Sequence, residues 1–340
     1  MSKQEVIICQ NFTTELQQKI SAHSYDKIFV LTDEHTCRFC LPLLEGIPCL
    51  KEAEPIVIGP EDIHKNLETL AYVWNQLSSR GATRHTLLIN LGGGMVTDLG
   101  GFAAATFKRG ISYINIPTTL LSMVDAAVGG KTGINFNDLK NEIGAFYPAD
   151  QVLIDSEFLK TLDIQNLLSG YGEMLKHGLI SNQAHWSELL TFDFNQIDYS
   201  KLQTLIGQSV KVKEDIVEKD PYEQNIRKAL NFGHTIGHAI EKYKNFELYH
   251  GECVALGTVA AAYISWKKEM LSMEEFYEIR DMFVPFYLPI SVDDIDPQEI
   301  LKLTKSDKKM EAGTIKFILL KKIGKAVIDR TVTDEEILAA

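Results

Sequence analysis

The chain has 340 residues, 45% hydrophobic and 24% charged, enough for one large or two ordinary domains whose core needs no disulfide or metal. Lys and Arg number 34 against 46 Asp and Glu, and the net charge of −12 argues against a general nucleic-acid or anionic-membrane binder. The most apolar run, Cys253 to Trp266, falls short of the roughly 20 residues that span a bilayer. The first residues, Met1-Ser2-Lys3-Gln4-Glu5, lead into a strand-like stretch with no signal-peptide core, so the expectation is a soluble, cytoplasmic protein. Its five cysteines, an odd number, fit reduced thiols, and Cys37-Arg38-Phe39-Cys40 lacks the second pair that would complete a zinc site.

In chain order, Lys27–Leu31 reads as a strand ending at Thr32-Asp33, and Pro55–Ile58 as a second closed by Gly59-Pro60. A helical period follows from about Asp62 to Ser79, carried by Leu67, Leu70, Val73, Trp74 and Leu77. Thr86–Leu91 reads as a buried strand running into Gly92-Gly93-Gly94. Ile111–Ile116 and Gln151–Asp155 complete the set. Strands alternating with helices predict a Rossmann-like parallel sheet with ligands at the strands' carboxyl ends. Beyond about residue 160 long helical patterns take over: Asn166–Ile180, Lys201–Lys219, Arg227–Tyr243, Glu252–Leu271 and Glu274–Val284. A small hairpin, Thr314–Leu320 with Lys325–Ile328, returns near the C-terminus. The predicted organisation is an α/β nucleotide-binding domain over 1–162 and a mainly helical domain over 163–340.

Three segments carry chemistry. Gly92-Gly93-Gly94 after a strand lets backbone approach a pyrophosphate, although Thr97 occupies the third glycine of a G-x-G-x-x-G fingerprint. Gly129-Gly130-Lys131-Thr132 resembles the end of a P-loop, but Asp125 stands where the first P-loop glycine belongs, which excludes a Walker A site. Lys131 still sits in a glycine loop able to deliver an ammonium to an anion. In the second half, Glu173 and Lys176 share a helix face at i,i+3, and His234 and His238 lie one turn apart beside helix-weakening glycines. With His250 they supply one carboxylate and three histidines for a divalent metal. Spacing alone selects His234 and His238 as the ligand pair.

The ordered set Gly92-Gly93-Gly94-x-x-x-Asp98, Pro117-Thr118-Thr119-Leu120-Leu121, Asp125-x-x-x-Gly129-Gly130-Lys131-Thr132, Lys140-Asn141, Gly172-Glu173-x-x-Lys176, Asn231-x-Gly233-His234-Thr235-x-Gly237-His238 and His250-Gly251-Glu252 resembles 3-dehydroquinate synthase, within the sugar-phosphate cyclases. The match runs in order over about residues 27 to 330. The resemblance implies NAD, a zinc or cobalt ion held by Glu173, His234 and His250, and a homodimer; His238 then faces substrate rather than metal. It implies a cofactor site of Asp33, Asp62, Lys65, Gly94, Met95, Val96, Thr97, Asp98, Thr118, Thr119, Lys131, Lys140, Phe158, Leu159, Lys160 and Thr161. It implies a substrate and catalytic set of Arg109, Asp125, Lys131, Asn141, Lys176, Lys213, Arg227, Asn231, His238 and one of Lys308 and Lys309, with Arg109 reaching the partner subunit's site.

The implied substrate, 3-deoxy-D-arabino-heptulosonate 7-phosphate, is a phosphorylated sugar acid, so a chain of charge −12 must gather its cations locally. The implied reaction is transient oxidation by NAD, β-elimination of phosphate, re-reduction and aldol closure, with no net redox change. Three positions depart from the family pattern: Asp62 replaces a glutamate, Thr97 a glycine, and Phe136-Asn137-Asp138-Leu139 a His-Pro-Leu-Gly run. The rivals are a valiolone- or inosose-forming cyclase, a metal-dependent polyol dehydrogenase and a non-enzymatic binding protein. Lys213, Arg227 and Asn231 suit a carboxylate-bearing substrate, which favours the dehydroquinate-forming reading over these rivals.

Overall fold

The computed structural model describes residues 4–137, 139–287, 294–307 and 315–340. The chain divides into two compact units, Met1–Asp163 with Tyr199–Gln203, and Ile164–Asp198 with Thr204–Ala340.

The first unit is built on strands β1 (Glu5–Ile8), β2 (Ile28–Asp33), β3 (Glu54–Ile58), β4 (Leu87–Gly92), β5 (Ser112–Pro117), β6 (Lys131–Phe136), β7 (Leu139–Phe146) and β8 (Gln151–Ile154). Six form one parallel sheet in the order β1-β8-β5-β4-β2-β3. Strand β4 is buried at every residue, as a central parallel strand covered on both faces must be. The chain winds outward from β2 to β3, then returns to the other side of β2 for β4 and β5. That reversal is a topological switch point, where the carboxyl ends of β2 and β4, Asp33 and Gly92, open a ligand crevice.

Two elements of this unit differ from the sequence reading. The helical pattern assigned from Asp62 resolves into a 3-10 turn, Asp62–His64, and a helix, Leu67–Ser79. Asn66 starts that helix, its side chain accepting a hydrogen bond from the Thr69 N–H at 2.9 Å. The second difference is the antiparallel hairpin β6–β7, so Lys131 opens a strand rather than sitting within a glycine loop.

In the second unit the main helices are Ile164–Ser181, Tyr199–Lys219 (which begins in the first unit), His234–Tyr243, His250–Lys267 and Met273–Tyr287. Strands β9 (Ile315–Lys322) and β10 (Lys325–Val332) form an antiparallel pair; Thr314, expected to start it, lies outside the described residues. Ile236, Ile240, Cys253, Ile264, Phe317 and Leu319 share one core between two helices and β9. The single helix expected over Arg227–Tyr243 is broken into a 3-10 turn, Ile226–Asn231, and the helix starting at His234. Gly233 makes the break: it has φ +79°, and a Cβ there would fall 2.4 Å from Thr258 Oγ1.

Candidate functional site

The second unit gathers a carboxylate and three imidazoles. Glu173, on the helix Ile164–Ser181, has no solvent exposure, and its Oε2 accepts a hydrogen bond from Lys176 one turn on, itself only 1% exposed. Its other oxygen, Oε1, accepts no hydrogen bond among the described residues, and lies 3.7 Å from His234 Nε2 and 3.8 Å from His250 Nε2. The ligating atoms of His234, His238 and His250 all fall within 4.8 Å of one another. Close backbone packing brings the histidine helices together. A Cβ on Gly237 would lie 2.8 Å from the Cys253 carbonyl oxygen, and one on Gly257 would lie 2.0 Å from that of Gly233. The glycines that weaken the helix as isolated secondary structure therefore set its distance from its neighbour.

The protonation pattern fits a cation. His234 Nδ1 lies 3.1 Å from the Phe232 carbonyl oxygen, which can only accept, so Nδ1 carries the proton and Nε2 presents a lone pair towards Glu173. Burial, with the charge of Lys176 and the neighbouring His238 and His250, holds His234 well below the ordinary imidazole value. A buried carboxylate oxygen and an imidazole lone pair facing each other across 3.7 Å suit a divalent metal ion. The Nδ1 of His250 lies 3.7 Å from Oε1 of the buried Glu241. Glu241 and Glu223 both escape the sequence reading, because an isolated glutamate on a helix or loop carries no spacing signal.

Two further residues expected at the site are buried in this unit. Lys213 and Arg227 are 5% and 1% exposed. The Arg227 guanidinium donates to the Pro221 carbonyl at 2.6 Å, and the Asn231 amide donates to Glu223 Oε1 at 2.6 Å. Lys308 and Lys309 lie outside the described residues.

In the first unit the helix Gly94–Thr106 starts at Gly93 with no side chain capping its free N–H groups, a donor set that fits a pyrophosphate. Thr97 is 2% exposed and turns its hydroxyl back to the Gly94 carbonyl at 3.2 Å, so its extra atoms stay clear of the uncapped end. Close helix–strand packing falls instead to Gly100, where a Cβ would lie 2.0 Å from Asn90 Oδ1. Met95 and Val96 lie in the first turn of that helix. Thr118 follows β5, its N–H donating to the Gly92 carbonyl at 3.0 Å, and Thr119 pairs its hydroxyl with Ser122 at 2.9 Å. Asp33 caps the next short helix through the Thr36 N–H at 2.7 Å.

Lys65, 4% exposed, bridges Asp98 Oδ2 and Asn141 Oδ1, each at 2.5 Å. Asn141, expected on the substrate, thus joins two residues expected on the cofactor. Asp62 reaches Asn135 Nδ2 at 2.9 Å and lies 3.9 Å from Lys140, so the shorter side chain stays engaged with the hairpin. Phe158, Leu159, Lys160 and Thr161 lie in one 3-10 turn, with Thr161 Oγ1 donating to the Phe158 carbonyl at 2.8 Å. Asp125 is half-buried in the turn Ser122–Ala126, while Lys131 and Arg109 are exposed.

Two family models match: 3-dehydroquinate synthase N-terminal over residues 55–169, and 3-dehydroquinate synthase C-terminal over residues 170–310. A 3-dehydroquinate synthase of Parabacteroides distasonis is 51% identical, covering 99% of this chain and 97% of its own. The corresponding protein of Ruminiclostridium cellulolyticum is 35% identical over 98% and 94%. Among solved structures, a 2-epi-5-epi-valiolone synthase of Streptomyces hygroscopicus with NAD+ and Zn2+ bound superposes with a TM-score of 0.89 at 26% identity, covering 100% of this chain and 96% of its own. A 2-deoxy-scyllo-inosose synthase shares the fold at TM-score 0.88 and 23% identity, over 99% and 95%. With both halves matched in order and a relative at 51% identity end to end, the chain belongs to the 3-dehydroquinate synthase family.

Proposed function

We propose that this protein is a carbon–oxygen lyase converting 3-deoxy-D-arabino-heptulosonate 7-phosphate to 3-dehydroquinate and inorganic phosphate, in the shikimate route to chorismate and the aromatic amino acids, and that it works as a cytoplasmic homodimer. The observation that carries the reading is the convergence of His234 Nε2 and His250 Nε2 on the buried Glu173 Oε1, at 3.7 Å and 3.8 Å, with buried Lys176 beside it. The 51% identity to a 3-dehydroquinate synthase favours this cyclase over its valiolone- and inosose-forming cousins.

Glu173, His234 and His250 are the assigned ligands of a zinc or cobalt ion. Asp33, Asp62, Lys65, Gly94–Asp98, Thr118, Thr119, Lys131, Lys140 and Phe158–Thr161 are assigned to NAD. When bound, NAD takes up and returns a hydride, and the metal ion lowers the pKa of the oxygen on the carbon being oxidised. The protein's own residues hold the substrate. Lys176, Lys213 and Arg227 supply positive charge for its carboxylate and phosphate, and Asn231 and His238 hydrogen-bond its hydroxyls. Asp125, Lys131, Asn141 and one of Lys308 and Lys309 complete the substrate set, and Arg109 reaches it from the partner. Lys176 is well suited to hold a proton at the reacting oxygen, because its ammonium is desolvated and already hydrogen-bonded to Glu173. The departing phosphate can take the neighbouring carbon's proton itself, so no further protein base is required.

The test is phosphate release from the heptulosonate phosphate by purified enzyme with zinc, with and without NAD. Stoichiometric phosphate and 3-dehydroquinate, with no net NADH, are expected. Accumulating NADH with glycerol and no phosphate release would instead indicate a polyol dehydrogenase.

A further inference from the structure

One carboxylate ties the loop that leads into the 3-10 turn Ile226–Asn231. Asp220 is 7% exposed. Its Oδ1 accepts the Gln224 N–H at 2.9 Å, and its Oδ2 accepts the N–H groups of Asn225 at 2.7 Å and Arg227 at 3.0 Å. Three backbone donors thus converge on one side chain and close residues 220 to 227 into a ring. The ring holds backbone that side-chain-bearing residues seldom adopt, with Glu223 at φ +58°. Arg227 is fixed to the same ring twice, by its own N–H on Asp220 and by its guanidinium on the Pro221 carbonyl. Burial opposes the charge on Asp220, but the three N–H groups and the Arg227 guanidinium outweigh it and lower its pKa below the ordinary carboxylate value.

We propose that Asp220 is a positioning residue for substrate: by closing the 220–227 ring it fixes the direction in which Arg227 presents its guanidinium. This rests on the assignment of Arg227 to substrate made above. A free loop would leave a long side chain with many rotamers, and the substrate would have to order it on binding. The ring supplies that order beforehand, so the effect belongs to affinity and not to the bond-breaking steps.

The test uses the NAD- and zinc-loaded enzyme. Asp220→Asn keeps the size of the side chain but puts an NH2 donor against N–H groups. It should raise KM for the heptulosonate phosphate by between about tenfold and a hundredfold, with kcat changed by less than about threefold and zinc content unaltered. Arg227→Ala tests the underlying assignment separately. If Arg227→Ala leaves KM unchanged, the substrate role of Arg227 fails, whatever Asp220 does. If it raises KM, adding Asp220→Asn to it should raise KM by less than about threefold more, because Asp220 acts through Arg227. Asp220→Glu keeps the charge, so it should recover part of the affinity, and it carries the same measurement if the Asn variant does not fold. An unchanged KM in the single variants, or a full multiplicative increase in the double variant, would overturn the proposal.

Discussion

Glu173 is the residue on which the second unit turns. It is fully buried, with one oxygen held by Lys176 and the other left to His234 and His250. An unmatched buried carboxylate oxygen is costly unless something positive meets it, and the neutral His234 does not. The proposed ligand set of Glu173, His234 and His250 is in keeping with this, since both imidazoles lie within 4 Å of that oxygen. Glu173→Ala and His250→Ala should each lose bound zinc and activity while keeping the fold, since only three protein ligands are assigned and the helices have their own apolar packing. His238→Ala should lose activity but keep its zinc. Zinc per chain, measured by atomic absorption after dialysis against a weak chelator, checks both expectations. Zinc loss in His238→Ala matching that in His250→Ala would restore the i,i+4 pair as ligands.

At the scale of elements, the close approach of the helices His234–Tyr243 and His250–Lys267 decides whether those ligands meet. Helix propensity alone predicts that Gly237→Ala stabilises the chain by about 1 kcal/mol. Packing predicts the opposite: the new Cβ would lie 2.8 Å from a backbone oxygen on the neighbouring helix, which no rotamer change relieves. Overpacking of this kind costs about 1–3 kcal/mol, so packing should win, with a lower urea midpoint and weaker zinc binding in the variant. A raised midpoint would show that the helices can part freely. Parallel strands and long helices were legible because burial on both faces writes continuous apolar runs, as in β4, and because 3.6-residue periods persist. The β6–β7 hairpin was not, since Phe136, Leu139, Ile143 and Phe146 stay exposed and Gly133 and Gly144 interrupt the pattern. The break at Gly233 was hidden as well, because a glycine within an apolar period reads as a weak helix until its φ is known. The proposed ligand set rests on the family pattern, because spacing alone selects His234 and His238. Geometry then adds what pattern lacks: the tautomer of His234, and Glu223 and Glu241 beside the site.

For the whole molecule, a net charge of −12 sets the problem that an anionic substrate must meet a positive pocket on an acidic protein. In the proposed homodimer, Arg109 bears on how that problem is solved. It lies in the short turn Phe107–Arg109, where Lys108 has φ +49° and Arg109 φ +68°. Two consecutive left-handed residues with side chains cost about 1–2 kcal/mol each, a cost that solubility alone does not require. Gly110 follows at φ +112°, where a Cβ would sit 2.9 Å from Tyr147 Oη, so the turn is held against the protein while Arg109 remains exposed. A guanidinium, always charged and able to make two parallel hydrogen bonds, suits a phosphate on a neighbouring subunit. Mixing Arg109→Ala with His238→Ala subunits discriminates between action in trans and in cis. If Arg109 acts in trans, each mixed dimer has one site with both defects and one with neither. Random exchange of an equimolar mixture makes half the dimers mixed, so activity should return to about a quarter of the wild-type value. If Arg109 serves its own subunit, every site in the mixture keeps one defect, and activity stays at the level of the separate variants even when mass spectrometry shows that mixed dimers have formed.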